Sequence, residues 1–229
     1  MTEAAPTLAL DPDSPLALLQ KRSLSSAAQE EIEKLILGGQ LAVGMRIGEA
    51  EMALRLGVSR GPIREAFRAL EEIGLVRFEK NRGVFVRELD LAEAEQNYVV
   101  RGALEALAGR LLAARITDAE VAELRGIVKQ MEKAAARSDK ARYAALNLTL
   151  HRRIFEMAGN AKLIDVYARI TKELMLFRRR SLALEETLGE HAAIVERIAA
   201  RDGDGAAAAL LAHVEHSRQR IVATYSGQG

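Results

Sequence analysis

The chain predicts a mainly α-helical protein in two parts: an N-terminal winged helix-turn-helix with a small β-hairpin wing, then an all-α bundle of six helices. Three observations carry this. Gly57-Val58-Ser59-Arg60-Gly61-Pro62-Ile63-Arg64-Glu65-Ala66-Phe67 reads as a tight turn leading into a helix. Two short alternating runs follow, joined by Lys80-Asn81-Arg82-Gly83. From Asp90 onward proline is absent and apolar residues recur at helical spacing.

Gly57 punctuates the turn, and Val58 is an apolar plug between two helices. Ser59 suits an N-cap, because its hydroxyl can accept from the free N–H groups of the first turn. Pro62 falls inside that turn, where a missing N–H costs nothing. At about 100° per residue, Ile63, Phe67 and Leu70 form an apolar stripe, and Arg60, Arg64 and Arg68 form a basic one beside it. The basic edge begins with guanidiniums and Gly61, which lets the backbone come close; that suits a major groove, where Arg can bond a guanine edge with two hydrogen bonds. Taken alone, the same helix could be a surface helix with scattered arginines.

The flanks favour the groove. Glu49 to Leu56 gives a short amphipathic helix that ends at the turn, and Gly74 ends the next one. Leu75 to Glu79 and Val84 to Arg87 alternate as two strands, with Asn81 and Gly83 where a tight hairpin needs positive φ. A basic hairpin after such a helix is a wing. Arg82 at its tip can reach a minor groove, while Lys80, Arg77 and Arg87 can meet phosphates.

Composition is compatible with this. The chain has 229 residues, is half apolar and carries a net charge of only +1, but basic residues gather between Arg55 and Arg87. Cysteine is absent, which excludes disulfides and thiolate metal sites and fits a reducing cytoplasm. Neither a membrane span nor a secretory signal is evident. Residues 1–23 hold three of the four prolines and read as a flexible tail ending where Leu24 begins a helix. The winged domain then occupies 24–88 and the bundle 89–229, with helices over 91–115, 118–137, 139–158, 161–182, 186–201 and 204–225. The short link from Arg87 to Asp90 leaves little slack for helix movements in the bundle to be lost before the wing.

All four histidines, His151, His191, His213 and His216, lie in the bundle. Asn147 and His151 share one helix face, as do His213 and His216. Neutral imidazoles converging from three helices would form a divalent-metal site. Spacing alone does not bring three helices to one point.

Residues about 24–88 resemble the winged-helix domain of the GntR superfamily of bacterial transcription regulators. The resemblance rests on Leu41 and Gly44, Leu54 to Arg60, Pro62 to Ala66, Leu70, Gly74-Leu75-Val76 and Asn81 to Val86. It implies that Arg60, Gly61, Arg64 and Arg68, with Lys80, Arg82 and Gly83 of the wing, face a palindromic double-stranded operator. Two departures stand out: Val43 where a Pro is usual before Gly44, and Gly61 where a Thr is common, which removes one side-chain contact.

The bundle resembles the FCD effector domain of the FadR branch, and its six helices place it near the VanR-like subset. The matching residues are Arg101 to Ala106 and Ala108, then His151, Ile154-Phe155 and Ala158-Gly159-Asn160, then Glu190-His191, Ile194 and the Ala-rich run to His213. The resemblance implies a divalent ion of the zinc or nickel kind on Asn147, His151, His191 and His213. Asn147 departs from the usual Asp and brings no charge. It further implies an effector site for a small organic acid, with Arg101, Asn147 and His216 as contacts. Arg101 could instead be a surface arginine paired with Glu105, and Arg178-Arg179-Arg180 reads as a solvated helix face. Arg101 and a metal would put two positive centres on one cavity, which should then seek an anion.

These readings converge on a homodimeric cytoplasmic repressor whose DNA affinity is set by a small carboxylate metabolite. A metal-dependent enzyme using the His cluster is the competing reading, although no acid or nucleophile motif accompanies the cluster. A ligand-independent DNA-binding dimer is the third.

Overall fold

The computed structural model describes residues 15–178 and 188–226. The chain divides into two compact units, Met1–Glu88 and Leu89–Gly229.

The first unit contains α1 (Pro15–Gly38), β1 (Arg46–Ile47), α2 (Glu49–Leu56), α3 (Arg60–Glu72), β2 (Val76–Glu79) and β3 (Gly83–Val86). Helix α1 is already formed at Pro15, at the edge of the described residues, so residues 15–23, expected as part of a tail, are helical. Residues 1–14 lie outside the described region. Ala28, Ile32, Leu35 and Ile36 bury one face of α1, which packs on α3 through Ile63, Phe67 and Leu70, all fully buried. Gly57 ends α2 in the left-handed conformation at φ 66°. Ser59 stands at the N-cap of α3, but its side chain makes no capping hydrogen bond.

The sheet has the order β1-β3-β2 and is antiparallel throughout. Val76 faces Val86 and Glu79 faces Gly83, so Lys80, Asn81 and Arg82 form the tip. Asn81 has φ 62° and Gly83 φ 106°, the positive values expected of this turn. Strand β1 has two residues and was not expected, because a two-residue strand carries no readable period.

Among the described residues, the second unit contains six helices: α4 (Leu91–Ala113), α5 (Asp118–Ala136), α6 (Lys140–Ala158), α7 (Ala161–Arg178), α8 (Leu188–Ala199) and α9 (Gly203–Ser226). The expected end of α7 near 182, the expected start of α8 near 186 and most of the arginine triplet fall outside the described residues. Capping boxes at Asp90/Glu93 and Thr117/Glu120 start α4 and α5, and Asn160 Oδ1 accepts from Leu163 N at the start of α7. Helix α4 is central, packed against α6, α7, α8 and α9. Its approach to α9 depends on Gly102 and Gly109. A Cβ on Gly109 would lie 2.5 Å from Leu210 Cδ1. Leu112, Leu124, Leu150, Ile154, Ile198 and Leu210 anchor the core beside it. Among the described residues, no helix is long and apolar enough to cross a membrane.

Candidate functional site

In the first unit, the burial pattern splits α3 as its sequence demands. Ile63, Ala66, Phe67 and Leu70 are buried, whereas Arg60, Arg64 and Arg68 are exposed and Gly61 is half-buried. The arginines differ in their partners. Arg64 donates from Nε and Nη2 to the two carboxylate oxygens of Glu49, at 3.2 and 3.0 Å. Arg68 pairs with Glu65 at 3.2 Å. At the wing tip Lys80 and Arg82 are exposed. Arg82 pairs with Glu79 and lies over the Phe85 ring, 5.2 Å from its centroid. Gly83 sits under Arg46, whose Nε would be 3.2 Å from any Cβ there. Arg46 and Glu49 were not anticipated at this face; β1 and the first turn of α2 bring them in.

In the second unit, helices α6, α8 and α9 do converge. His151, His191 and His213 are all buried, and each offers a ring nitrogen within 4.8 Å of the others. Ring centroids are 5.5 Å apart for His151 and His191, 5.1 Å for His151 and His213, and 4.5 Å for His191 and His213. Carboxylates lie behind two of them. Glu190 Oε2 is 2.6 Å from His213 Nδ1, and Glu105 Oε2 is 3.0 Å from His151 Nδ1, close but poorly aligned as a hydrogen bond. A carboxylate hydrogen-bonded to Nδ1, as Glu190 is to His213, leaves Nε2 as the lone-pair nitrogen able to ligate a metal. His151 Nε2 is buried with no hydrogen-bond partner among the described residues. Burial, then the neighbouring imidazoles of His151 and His191, pushes His213 well below the ordinary histidine range, so the ring stays neutral and able to ligate. Donor type, burial and spacing therefore fit a divalent ion of the zinc kind.

Beside the triad is a small cavity lined by Arg101, Asn147, Leu148, His151, Tyr167, Thr171, Leu174 and Met175. Its open room is about 10 Å³, roughly that of one water molecule. Arg101 and Asn147 thus share a wall with His151, as the sequence suggested. His216 does not: it is half exposed, and its Nδ1 is 2.8 Å from Glu190 Oε1, outside the cavity. Its place one turn beyond His213 carries it to the outer side of Glu190.

Arg101 is neither the surface residue nor the unpaired cavity cation that the sequence allowed. It is 3 % exposed, and its Nε and Nη2 each lie 2.7 Å from Glu105 Oε1. Burial alone would raise the Glu105 carboxyl, but the Arg101 charge, helped by His151, holds it below the usual carboxylate range. The expectation of two uncompensated positive centres is therefore corrected: Glu105 balances Arg101. The i,i+4 spacing was visible, but nothing in the sequence showed that this turn of α4 is buried.

The family models settle what these two sites belong to. Residues 24–86 match the model described as bacterial regulatory proteins, gntR family, and residues 96–216 match the FCD domain. This chain belongs to the gntR family of bacterial regulators. It is a DNA-binding transcription regulator with an FCD effector-binding domain. It is 32% identical over 199 residues to a probable D-xylose utilization operon transcriptional repressor of Paenarthrobacter nicotinovorans, covering 86% of this chain and 88% of that protein. It is 31% identical over 189 residues to the Nta operon transcriptional regulator of Aminobacter aminovorans, covering 80% and 88%. Among solved structures, E. coli McbR/YncC has the same fold, with a TM-score of 0.75 at 18% identity, covering 88% of this chain and 98% of that one.

Proposed function

We propose that this gntR-family regulator is a homodimeric repressor that releases its palindromic operator, or grips it less tightly, when a small carboxylate enters the α4–α6–α7 cavity beside a metal-loaded histidine triad. The observation that carries this reading is the convergence of His151, His191 and His213 next to a cavity walled by Arg101 and Asn147. A bound divalent ion would supply a Lewis-acidic centre for a carboxylate oxygen. With neutral imidazoles and Asn147 as donors, nothing in the ligand set cancels its charge. Arg101 keeps its Nη1 donors for the acid, because Glu105 takes only Nε and Nη2. Tyr167 and Thr171 supply further polar groups, and the Thr171 hydroxyl is buried with no hydrogen-bond partner among the described residues.

On the DNA side, Arg60 and Arg64 read base edges while Lys80 and Arg82 meet the backbone and minor groove. A two-fold operator calls for two copies, and exposed Val99, Val100 and Leu107 on α4, with Leu211 on α9, give the bundle an apolar surface for self-association. An operator-binding bacterial regulator works in the cytoplasm. Repression accords with the relative from Paenarthrobacter nicotinovorans and with the E. coli repressor RspR, which is 26% identical over 185 residues.

The test is a thermal-shift matrix of the chelator-treated protein with Zn(II) or Ni(II) against mono-, di- and tricarboxylic acids. Metal and acid together should stabilise it more than the sum of each alone. An acid affinity that is the same with and without chelator defeats the coupled site.

A further inference from the structure

The pairing of Arg64 with Glu49 does more than neutralise charge. Glu49 is the first residue of α2, and Arg64 lies one turn into α3. The carboxylate takes the side of the guanidinium, Nε and Nη2, in fork-to-fork fashion. The leading end, Nη1 with the second Nη2 hydrogen, stays free, and that end can present two parallel donors to guanine O6 and N7. Arg64 is half exposed, so without a brace its long side chain would sample many rotamers and lose that freedom on binding. Glu49 itself is held by a short rigid helix whose Met52 and Ala53 are buried.

We propose that Glu49 is a positioning residue for operator reading: it braces Arg64 so that the Nη1–Nη2 end meets a guanine edge in one orientation. This rests on the reading of Arg64 as a base contact. The Arg64 hydrogen bond, with a smaller contribution from Arg60, keeps Glu49 below the ordinary carboxylate range, so the brace is charged at neutral pH. Two plainer roles are available to Glu49: an exposed ion pair of little consequence, or an acid favouring the N-terminus of α2. Neither would change which bases are preferred.

The experiment uses the full chain and a duplex selected by the wild-type protein from a randomised pool. Binding to it and to a scrambled duplex of equal length is measured at one salt concentration for wild type, Glu49→Gln, Arg64→Ala and the double variant. Loss of one negative charge strengthens binding to any DNA, and that effect cancels in the ratio of selected to scrambled affinity. Glu49→Gln should lower that ratio about five- to tenfold, Arg64→Ala at least as much, and the double variant no further than Arg64→Ala. Repeating the selection with Glu49→Gln should relax base preference at one position per half-site. A Glu49→Gln ratio within about twofold of wild type, or an equal loss when Arg64 is already Ala, overturns the brace while leaving base reading by Arg64 intact. An Arg64→Ala ratio equal to wild type overturns both.

Discussion

Arg101 and Glu105 form a fully buried ion pair one turn apart on α4, 2.7 Å from Nη2 to Oε1. The other oxygen of the same carboxylate lies 3.0 Å from His151 Nδ1, so one acid stands between the Arg101 guanidinium and the His151 imidazole. Removing one member of a buried pair leaves the other charge uncompensated.

Glu105→Gln should therefore destabilise the protein by about 3–5 kcal/mol at pH 7, measured by urea unfolding. Because the Glu105 carboxyl is held below its unfolded value of about 4.3, the stabilisation is complete above that pH and is lost as pH falls below it. The gap between wild type and Glu105→Gln should therefore be widest at pH 6 and shrink steadily as pH falls below about 4, while remaining measurable at pH 3. A gap that stays constant across that range would show that Glu105 acts by packing.

Asn147→Asp should tighten metal binding, because a charged oxygen replaces an amide beside His151. It should also weaken the stabilisation by a carboxylic acid, since the site then carries one positive charge fewer. Metal titration by calorimetry, followed by acid titration of the loaded protein, checks both directions. Unchanged metal affinity would remove Asn147 from the ligand set.

Gly109→Ala and Gly102→Ala should differ in sign. The new methyl at 109 meets Leu210 Cδ1 at 2.5 Å, and Leu210 is fully buried with nowhere to go, so a loss of about 1–3 kcal/mol is expected. At 102 it meets Leu211 Cδ1 at 2.9 Å, but Leu211 is 51% exposed and can swing outward. The gain in helix propensity of up to about 1 kcal/mol should then offset the contact. Denaturant midpoints of the two variants decide the matter.

Arg64→Ala should weaken operator binding by about 1–3 kcal/mol with loss of base preference. Arg82→Ala should weaken it with a smaller loss of preference, since a minor-groove or phosphate contact carries less sequence information. Matched-salt titrations with selected and scrambled duplexes separate the two effects.

The winged helix was legible because its signals are local. The stripe of Ile63, Phe67 and Leu70, the turn glycine Gly57 and the alternation either side of Asn81 each lie within a few residues. The bundle helices were legible through proline-free helical spacing and the breaks between them, two of which the structure shows as caps at Thr117 and Asn160. What escaped was pairing at a distance. Glu49 and Arg64 are 15 residues apart, and His213 and Glu190 are 23 apart; neither pair leaves a periodic trace. The burial of the Arg101–Glu105 pair escaped for another reason. An i,i+4 Arg–Glu pair reads the same whether its helix face is wet or dry, and only the packing of α4 under its neighbours decides. The convergence of the three histidines needed the family resemblance, because spacing within one helix says nothing about the next.

The cavity beside the triad holds about one water, while any organic acid is larger. A carboxylate binding there, as proposed, must therefore prise its seat open, and its apparent affinity is the intrinsic one scaled by how often the seat stands open. On that proposal, the dose at which this regulator answers is set partly by side chains that form no polar bond with the acid. Met175 is one of them: trimming it to alanine would make room in advance and lower the responding concentration, with Arg101, Asn147 and the histidines untouched. Sensitivity and selectivity can thus drift apart in this fold, one through apolar packing and the other through the polar wall.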